Sequence, residues 1–312
     1  MNKHKRYIKM VIGFLSLLFV SFIIWINQAT PTSHPIIPST LGQESNYQSL
    51  VDSLSTGKKI SVNKVKSANW KVPLSGLLNL EADAAKHAGL EDHDEDIQIF
   101  TFHLKHPLHG NFLIDTGVSH QFYNDPQSLG IPSWLASGYG LEKLTILTAT
   151  DDYIKEKNLD LKGVFLTHLH LDHISGMSAI DKHVPLYVGE GETQESYFLY
   201  AVTRNATDIM LEGRPELQEW PAEYIDVFGD GSMFAIHSPG HTAGSTAYLV
   251  NTVEGPVLFI GDASHTAWGW NHGVEPGSFS TDQARSRGSL DKLIKLVKSN
   301  PEIRVQPGHQ SL

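Results

Sequence analysis

Residues 164–177 read VFLTHLHLDHISGM, an apolar run that breaks into His168, His170, Asp172 and His173 within six positions. A short apolar run bounded by a turn predicts a buried strand. Three imidazoles and a carboxylate crowded at its end gain nothing in a packed core, because buried polar groups cost free energy unless they are paired. The crowding therefore calls for a chemical role, and these residue types are the nitrogen and oxygen ligands of a divalent metal. The chain has 17 histidines and no cysteine in 312 residues, so imidazole and carboxylate are the ligands available to such a site.

The same signal recurs downstream. IQIFTFHL (97–104) and NFLIDTG (111–117), joined by KHPLHG, predict a hairpin, and further strands are predicted at 163–168, 185–189, 233–240, 246–252, 256–262 and 303–308. Leu290, Leu293, Ile294 and Val297 keep a helical spacing that Asn300 and Pro301 stop. Strands interleaved with helical segments define a layered α/β fold. His241 follows one strand in SPGHTAGS, Asp262 closes VLFIGD, and His309 follows IRVQPG. Each is a metal-capable side chain where the backbone leaves a sheet, the place where binding groups collect in such folds. Alternate spacing turns His168 and His170 one way and Asp172 and His173 towards a neighbouring point, so one loop can serve two ions.

Composition narrows the partners. The formal net charge is −10 and no Lys/Arg cluster occurs beyond the extreme N-terminus, which disfavours nucleic acid. Lys3, Lys5, Arg6 and Lys9 precede residues 10–26, an uncharged apolar stretch at the short end of bilayer-spanning length and above the usual core of a signal peptide. Asn27-Gln28-Ala29 is a poor cleavage site. The expectation is a transmembrane anchor at 10–26, a cytoplasmic segment at 1–9 and an extracytoplasmic domain. A cleaved signal giving a secreted or periplasmic protein is the alternative. Pro31, Pro35 and Pro38 among small polar residues predict an extended tether over 27–57, leaving 58–312 as the folded domain.

The string His168-x-His170-x-Asp172-His173, followed in order by His241, Asp262 and His309, and FLIDTG around Asp115, resemble the metallo-β-lactamase superfamily from about residue 97 to the C-terminus. The resemblance implies an αββα sandwich and two zinc ions. One would be held by His168, His170 and His241, the other by Asp172, His173 and His309, with Asp262 bridging both; iron or manganese suit the same ligands. Two divalent ions sharing a water lower its pKa enough to supply a hydroxide nucleophile near neutral pH. The remaining positive charge stabilises a tetrahedral oxyanion, so hydrolysis of an ester, lactone, thioester, amide or phosphoester fits.

The bridging carboxylate separates this chain from the family's β-lactamases and aligns it with lactonases, glyoxalase II-like thioesterases and phosphodiesterases. The spacing from His241 through Asp262 to His309, and GDASHT beside an Asp-Ala-Ser-Tyr pattern, are most similar to the acyl-homoserine-lactone lactonases. His265 stands where those carry tyrosine, and an imidazole can donate a hydrogen bond or protonate an alkoxide. The expectation is a lactonase-like hydrolase with Asp172, Asp262 and His265 in the chemistry and a small acyl substrate. A thioesterase, general esterase or phosphodiesterase is the alternative; a metal-binding protein without turnover would be favoured by a missing ligand, and none is missing.

Other residues carry secondary expectations. Asp115 is read as holding the ligand loops by hydrogen bonds. His120, Trp268 and Trp270 are read as pocket wall, together with Tyr197, Phe198 and Tyr200 in the segment 192–210. His103, His106 and His109 are read as a solvated turn.

Overall fold

The computed structural model describes residue 7, residues 10–16, 19–21 and 26, and residues 28–312. In chain order its strands are β1 (Ile36–Pro38), β2 (Gln43–Glu44), β3 (Ser61–Pro73), β4 (Asp94–His106), β5 (Gly110–Ile114), β6 (Thr145–Ile146), β7 (Leu161–Phe165), β8 (Leu186–Gly189), β9 (Leu217–Trp220), β10 (Tyr224–Asp226), β11 (Met233–His237), β12 (Thr246–Thr252), β13 (Gly255–Phe259) and β14 (Arg304–Gln306). They form an eight-stranded sheet, ordered β1-β9-β8-β7-β5-β4-β3-β6, and a six-stranded sheet, ordered β14-β13-β12-β11-β10-β2. The helices that matter here are α1 (Tyr47–Thr56), α2 (Ser133–Gly138), α3 (Leu171–Ile174), α4 (Tyr200–Leu211), α5 (Ala267–His272) and α6 (Gln283–Ser299).

Side-chain alternation explains the layering. Along β12, Tyr248 and Val250 join Phe102, Phe112, Phe165, Trp220 and Phe259 in an aromatic layer between the two sheets. Ala247 and Leu249 point the other way, onto Leu50 of α1 and Leu293 and Leu296 of α6. The outer face of the larger sheet packs on α2 and α4 through Leu135, Ala206, Met210 and Leu211. The order is helix, sheet, sheet, helix. With both faces of each central strand covered, β12 is buried along its whole length, which is why TAYLVNT lacks the apolar–polar alternation of a half-exposed strand.

Strand direction decides where function collects. Strands β5, β7, β8 and β9 are parallel. In the other sheet, β13 and β14 are parallel, and β11 runs with them because both pair antiparallel with β12. The C-terminal ends of β11, β13 and β14 lead into His241, Asp262 and His309, and those of β5 and β7 lead into Asp115 and His168.

The predicted strands after residue 97 are present with shifted ends. The N-terminal boundary differs. Residues 27–57 are no free tether: β1 pairs in parallel with β9, β2 pairs with β10, and Leu50 of α1 is fully buried. The prolines mark the short strand and its turns. Strand β3 also escaped the sequence reading, because a bulge between Lys66 and Ala68 breaks the alternation of its buried residues. Among the described residues no helix is long and apolar enough to cross a membrane; the anchor expected at 10–26 lies partly outside the described residues.

Candidate metal centre

The structure brings all seven expected ligands together at one edge of the sandwich. Ligand atoms of His168, His170 and His241 lie within 4.8 Å of one another, as do those of Asp172, His173, Asp262 and His309. Asp262 joins the sets: its Oδ2 is 3.7 Å from His168 Nε2, 3.4 Å from His241 Nε2, and 3.3 Å from Nε2 of both His173 and His309. His309 Nε2 is also 3.2 Å from Asp172 Oδ2.

The far side of four of the rings is held by a partner outside the centre. His173 Nδ1 donates to Asp115 Oδ2 (2.8 Å), and His309 Nδ1 donates to the Gln98 carbonyl (3.0 Å). His265 Nδ1 donates to the Leu77 carbonyl (2.9 Å), and His241 Nδ1 lies 3.2 Å from Ser280 Oγ. A carbonyl or carboxylate accepts only, so the partners of His173, His309 and His265 fix a proton on Nδ1 and aim Nε2 inward. Lone pairs converging on carboxylate oxygens repel unless protons or cations lie between them. His168 Nε2 and Asp262 Oδ1 are buried with no hydrogen-bond partner. Orphaned inward atoms, nitrogen and oxygen donors and outward anchors together fit two divalent ions.

Protonation splits the centre. Burial and the neighbouring rings hold His168 and His241 well below the usual imidazole value, and burial takes His170 down to about 4. The carboxylates of Asp262, Asp115 and Asp172 outweigh burial at His173 and raise it well above that value; Asp262 and Asp172 raise His309 to about 10. The three-histidine side is therefore ready for a cation, whereas the other side must first release protons.

Asp115 is hydrogen-bonded to the loop that carries the ligands. Its carboxylate accepts from the Thr167 backbone (2.7 Å) and hydroxyl (2.9 Å) besides His173, and its backbone takes a positive φ of 52° to do so. Gly308 is required as well, since a Cβ there would collide with Asp262 Oδ1.

Glu192 was missed by the sequence reading. It is buried, and its carboxylate accepts from the Leu169 N–H (2.6 Å), the Thr242 hydroxyl (2.6 Å) and the Gly244 N–H (3.0 Å). Leu169 sits between His168 and His170, and Thr242 follows His241, so one carboxylate ties together the two loops of the three-histidine set. Burial raises its carboxyl to about 7 against the pull of those donors. A lone acid between two predicted strands gave no pattern to read.

A cavity of about 420 Å³ opens over the centre. His170, Asp172, His241, Asp262, His265 and His309 form its polar floor, and Trp70, Trp134, Tyr139, Leu199, Tyr200 and Phe279 supply much of its wall. Among the described residues, no Lys or Arg lines it. His265 is on this floor with Nε2 3.1 Å from Asp262 Oδ2.

Three expected wall residues are elsewhere. His120 lies on the surface, paired with Asp152 at 2.8 Å. Trp268 and Trp270 sit on α5, which Thr266 caps by accepting from the Gly269 N–H; the helix carries the chain away from the floor and packs the two indoles against different core clusters. His103 and His106 are not a solvated turn either. Both are buried, His103 between Tyr153 and Asn111 and His106 against Asp230; His109 is exposed and stacks on Phe228.

Two facing sheets, helices outside and a histidine–aspartate centre at the strand ends define a metallohydrolase-type fold. The chain belongs to the metallo-beta-lactamase superfamily, whose profile matches residues 101–309. It is 31% identical over 165 residues to the N-acyl homoserine lactonase AttM of Azorhizobium caulinodans, covering 48% of this chain and 58% of the relative. It is 30% identical over 146 residues to the hydroxyacylglutathione hydrolase of Hahella chejuensis, covering 46% and 47%. The matches thus span about half the length of these curated relatives. The fold superposes on a B. thuringiensis AiiA structure with N-decanoyl-L-homoserine at its active site, with a TM-score of 0.59, 18% identity and coverage of 81% of this chain and 94% of the other.

Proposed function

We propose that the chain is a dinuclear zinc hydrolase that opens a lactone carrying an apolar acyl group. The observation that carries this reading is Asp262, whose Oδ2 faces both ligand sets on the floor of a cavity lined, among the described residues, without Lys or Arg. His168, His170 and His241 would hold one ion, Asp172, His173 and His309 the other, and Asp262 both. Bound there, the ions would polarise the substrate carbonyl and lower the pKa of a water.

The remaining work falls to the chain. The apolar wall desolvates the acyl group and excludes bulk water. The phenols of Tyr139, raised to about 12 by burial and Asp172, and Tyr200, raised further by burial, remain protonated donors beside the floor. His265, whose Nδ1 donates to the Leu77 carbonyl, presents Nε2 as a base that would take the proton given up by the attacking water and then donate it to the departing alkoxide.

The likeness to a hydroxyacylglutathione hydrolase supports a thioesterase as second reading, but a peptide-like anionic leaving group would find no Lys or Arg among the described residues that line the cavity. The test is a side-by-side rate comparison of the zinc-loaded chain on acyl lactones, glutathione thioesters, simple esters and phosphodiesters. Lactones should be fastest; faster glutathione thioester or phosphodiester cleavage overturns the assignment. We also propose that residues 10–26 anchor the chain with its domain outside the cytoplasm, supported by their uncharged, mostly apolar composition and the basic residues before them. Protease added to intact cells should digest the domain.

A further inference from the structure

We propose that the mouth of the cavity faces a lipid bilayer and that Trp134, Phe198 and Val202 insert into its interface, so that substrates enter from the membrane. This rests on the anchor reading above.

The rim is the first observation. Trp134 on α2 is 64% exposed, Phe198 50% and Val202 on α4 36%, and Trp134 and Val202 also line the cavity. The two helices present apolar groups outward at the entrance, where water is the alternative partner. An indole is the side chain best suited to the boundary between headgroups and acyl chains.

The second observation is the route of the N-terminal chain. The Ala29 carbonyl accepts from the Tyr197 N–H (3.0 Å), one residue before Phe198. Ser33 then bonds Asp208 on α4 through its N–H (2.7 Å) and hydroxyl (2.8 Å). The Ala29 N–H donates to the Ile26 carbonyl at 3.5 Å, and a three-residue step reaches at most about 10 Å. The apolar stretch therefore leaves the domain beside the rim. Its described part exposes Met10, Phe14, Leu15 and Phe19.

One occupant satisfies both surfaces. A bilayer would cover residues 10–26 and the adjoining rim together, and Lys3, Lys5, Arg6 and Lys9 would meet anionic headgroups at the far end of the stretch. A second copy would bring the same net charge of −10 against this face and leaves those basic residues unexplained.

The test uses the full chain carrying Trp25→Phe, so that the apolar stretch has no indole, in phosphatidylcholine–phosphatidylglycerol vesicles with and without brominated acyl chains. Bromination should quench emission by the share of one of the five remaining indoles, and the added Trp134→Phe change should abolish that quenching. Equal quenching in both variants, with the chain still floating with the vesicles, overturns the inference and leaves the anchor intact; coverage of Trp134 by residues 10–26 or by a second copy gives that result. A chain that fails to float overturns the anchor, and the bilayer-facing mouth with it.

Discussion

Replacing Glu192 by alanine removes the acceptor of three hydrogen bonds without touching a ligand. Two of the donors it leaves behind, the N–H groups of Leu169 and Gly244, are backbone groups enclosed by the fold, whereas the Thr242 hydroxyl keeps Ser245 at 2.8 Å. A buried donor without a partner costs about 1–3 kcal/mol, so two of them should cost the variant roughly 2–6 kcal/mol. For a domain of this size that lowers Tm by on the order of 10 °C. The loops bearing His168, His170 and His241 would also be untied, and losing such support weakens metal binding by roughly 10–100-fold.

The assay is thermal unfolding of the metal-free chain followed by zinc titration, with Glu302→Gln as an exposed control. The pH dependence adds a sharper check. The folded carboxyl titrates near 7, above its ordinary 4.5, so the folded state holds the extra proton between those values. Its stabilisation is fully present below about 4.5 and is lost as pH rises to about 7. The gap between wild type and Glu192→Ala should therefore be larger at pH 5 than at pH 8. Glu192→Gln, whose amide keeps one of the two acceptor oxygens, should recover part of the loss and show no such slope. An alanine variant with unchanged Tm and zinc affinity refutes the tie.

Three further outcomes are expected. Asp262→Ala should drop bound metal below two ions per chain by elemental analysis and cut turnover by on the order of a hundredfold or more; two ions with full rate would remove its bridging role. Because His173 and His309 are raised while His168, His170 and His241 are lowered, filling both sites near pH 7.5 should release about two protons, all with the second ion. Calorimetry in buffers of different ionisation enthalpy reads this, and metal affinity should rise towards pH 10; proton-neutral loading contradicts it. His265→Ala should lower kcat on lactones with two ions retained, and His265→Tyr should exceed it; equal rates in all three forms would make His265 a bystander.

The ligand set was legible because each member is a chemically expensive residue at a predictable place, the end of an apolar strand. His168, His241, Asp262 and His309 needed no knowledge of which strands were neighbours. The wall of the cavity did: Trp70 on β3, Trp134 on α2 and Phe279 after α5 converge from distant parts of the chain. Trp268 and Trp270 looked close to the centre because they follow Asp262 in sequence, but one helical cap at Thr266 redirects them. His103 and His106 were misread for a related reason. Their polarity suggested solvent, while burial was decided by partners at Tyr153, Asn111 and Asp230 that no local pattern announces.

Residues 36–44 form the outermost strand of both sheets, β1 beside β9 and β2 beside β10. A chain begun at residue 58 would lose both at once, baring the backbone N–H and C=O groups of β9 and β10 as templates for pairing with another molecule. It would also lose α1 and its fully buried Leu50. Such a trimmed protein should precipitate or form fibrous assemblies while still possessing every metal ligand. The practical cut for a well-behaved soluble form lies between residues 26 and 29, ahead of the first residue whose main chain is fastened to the domain.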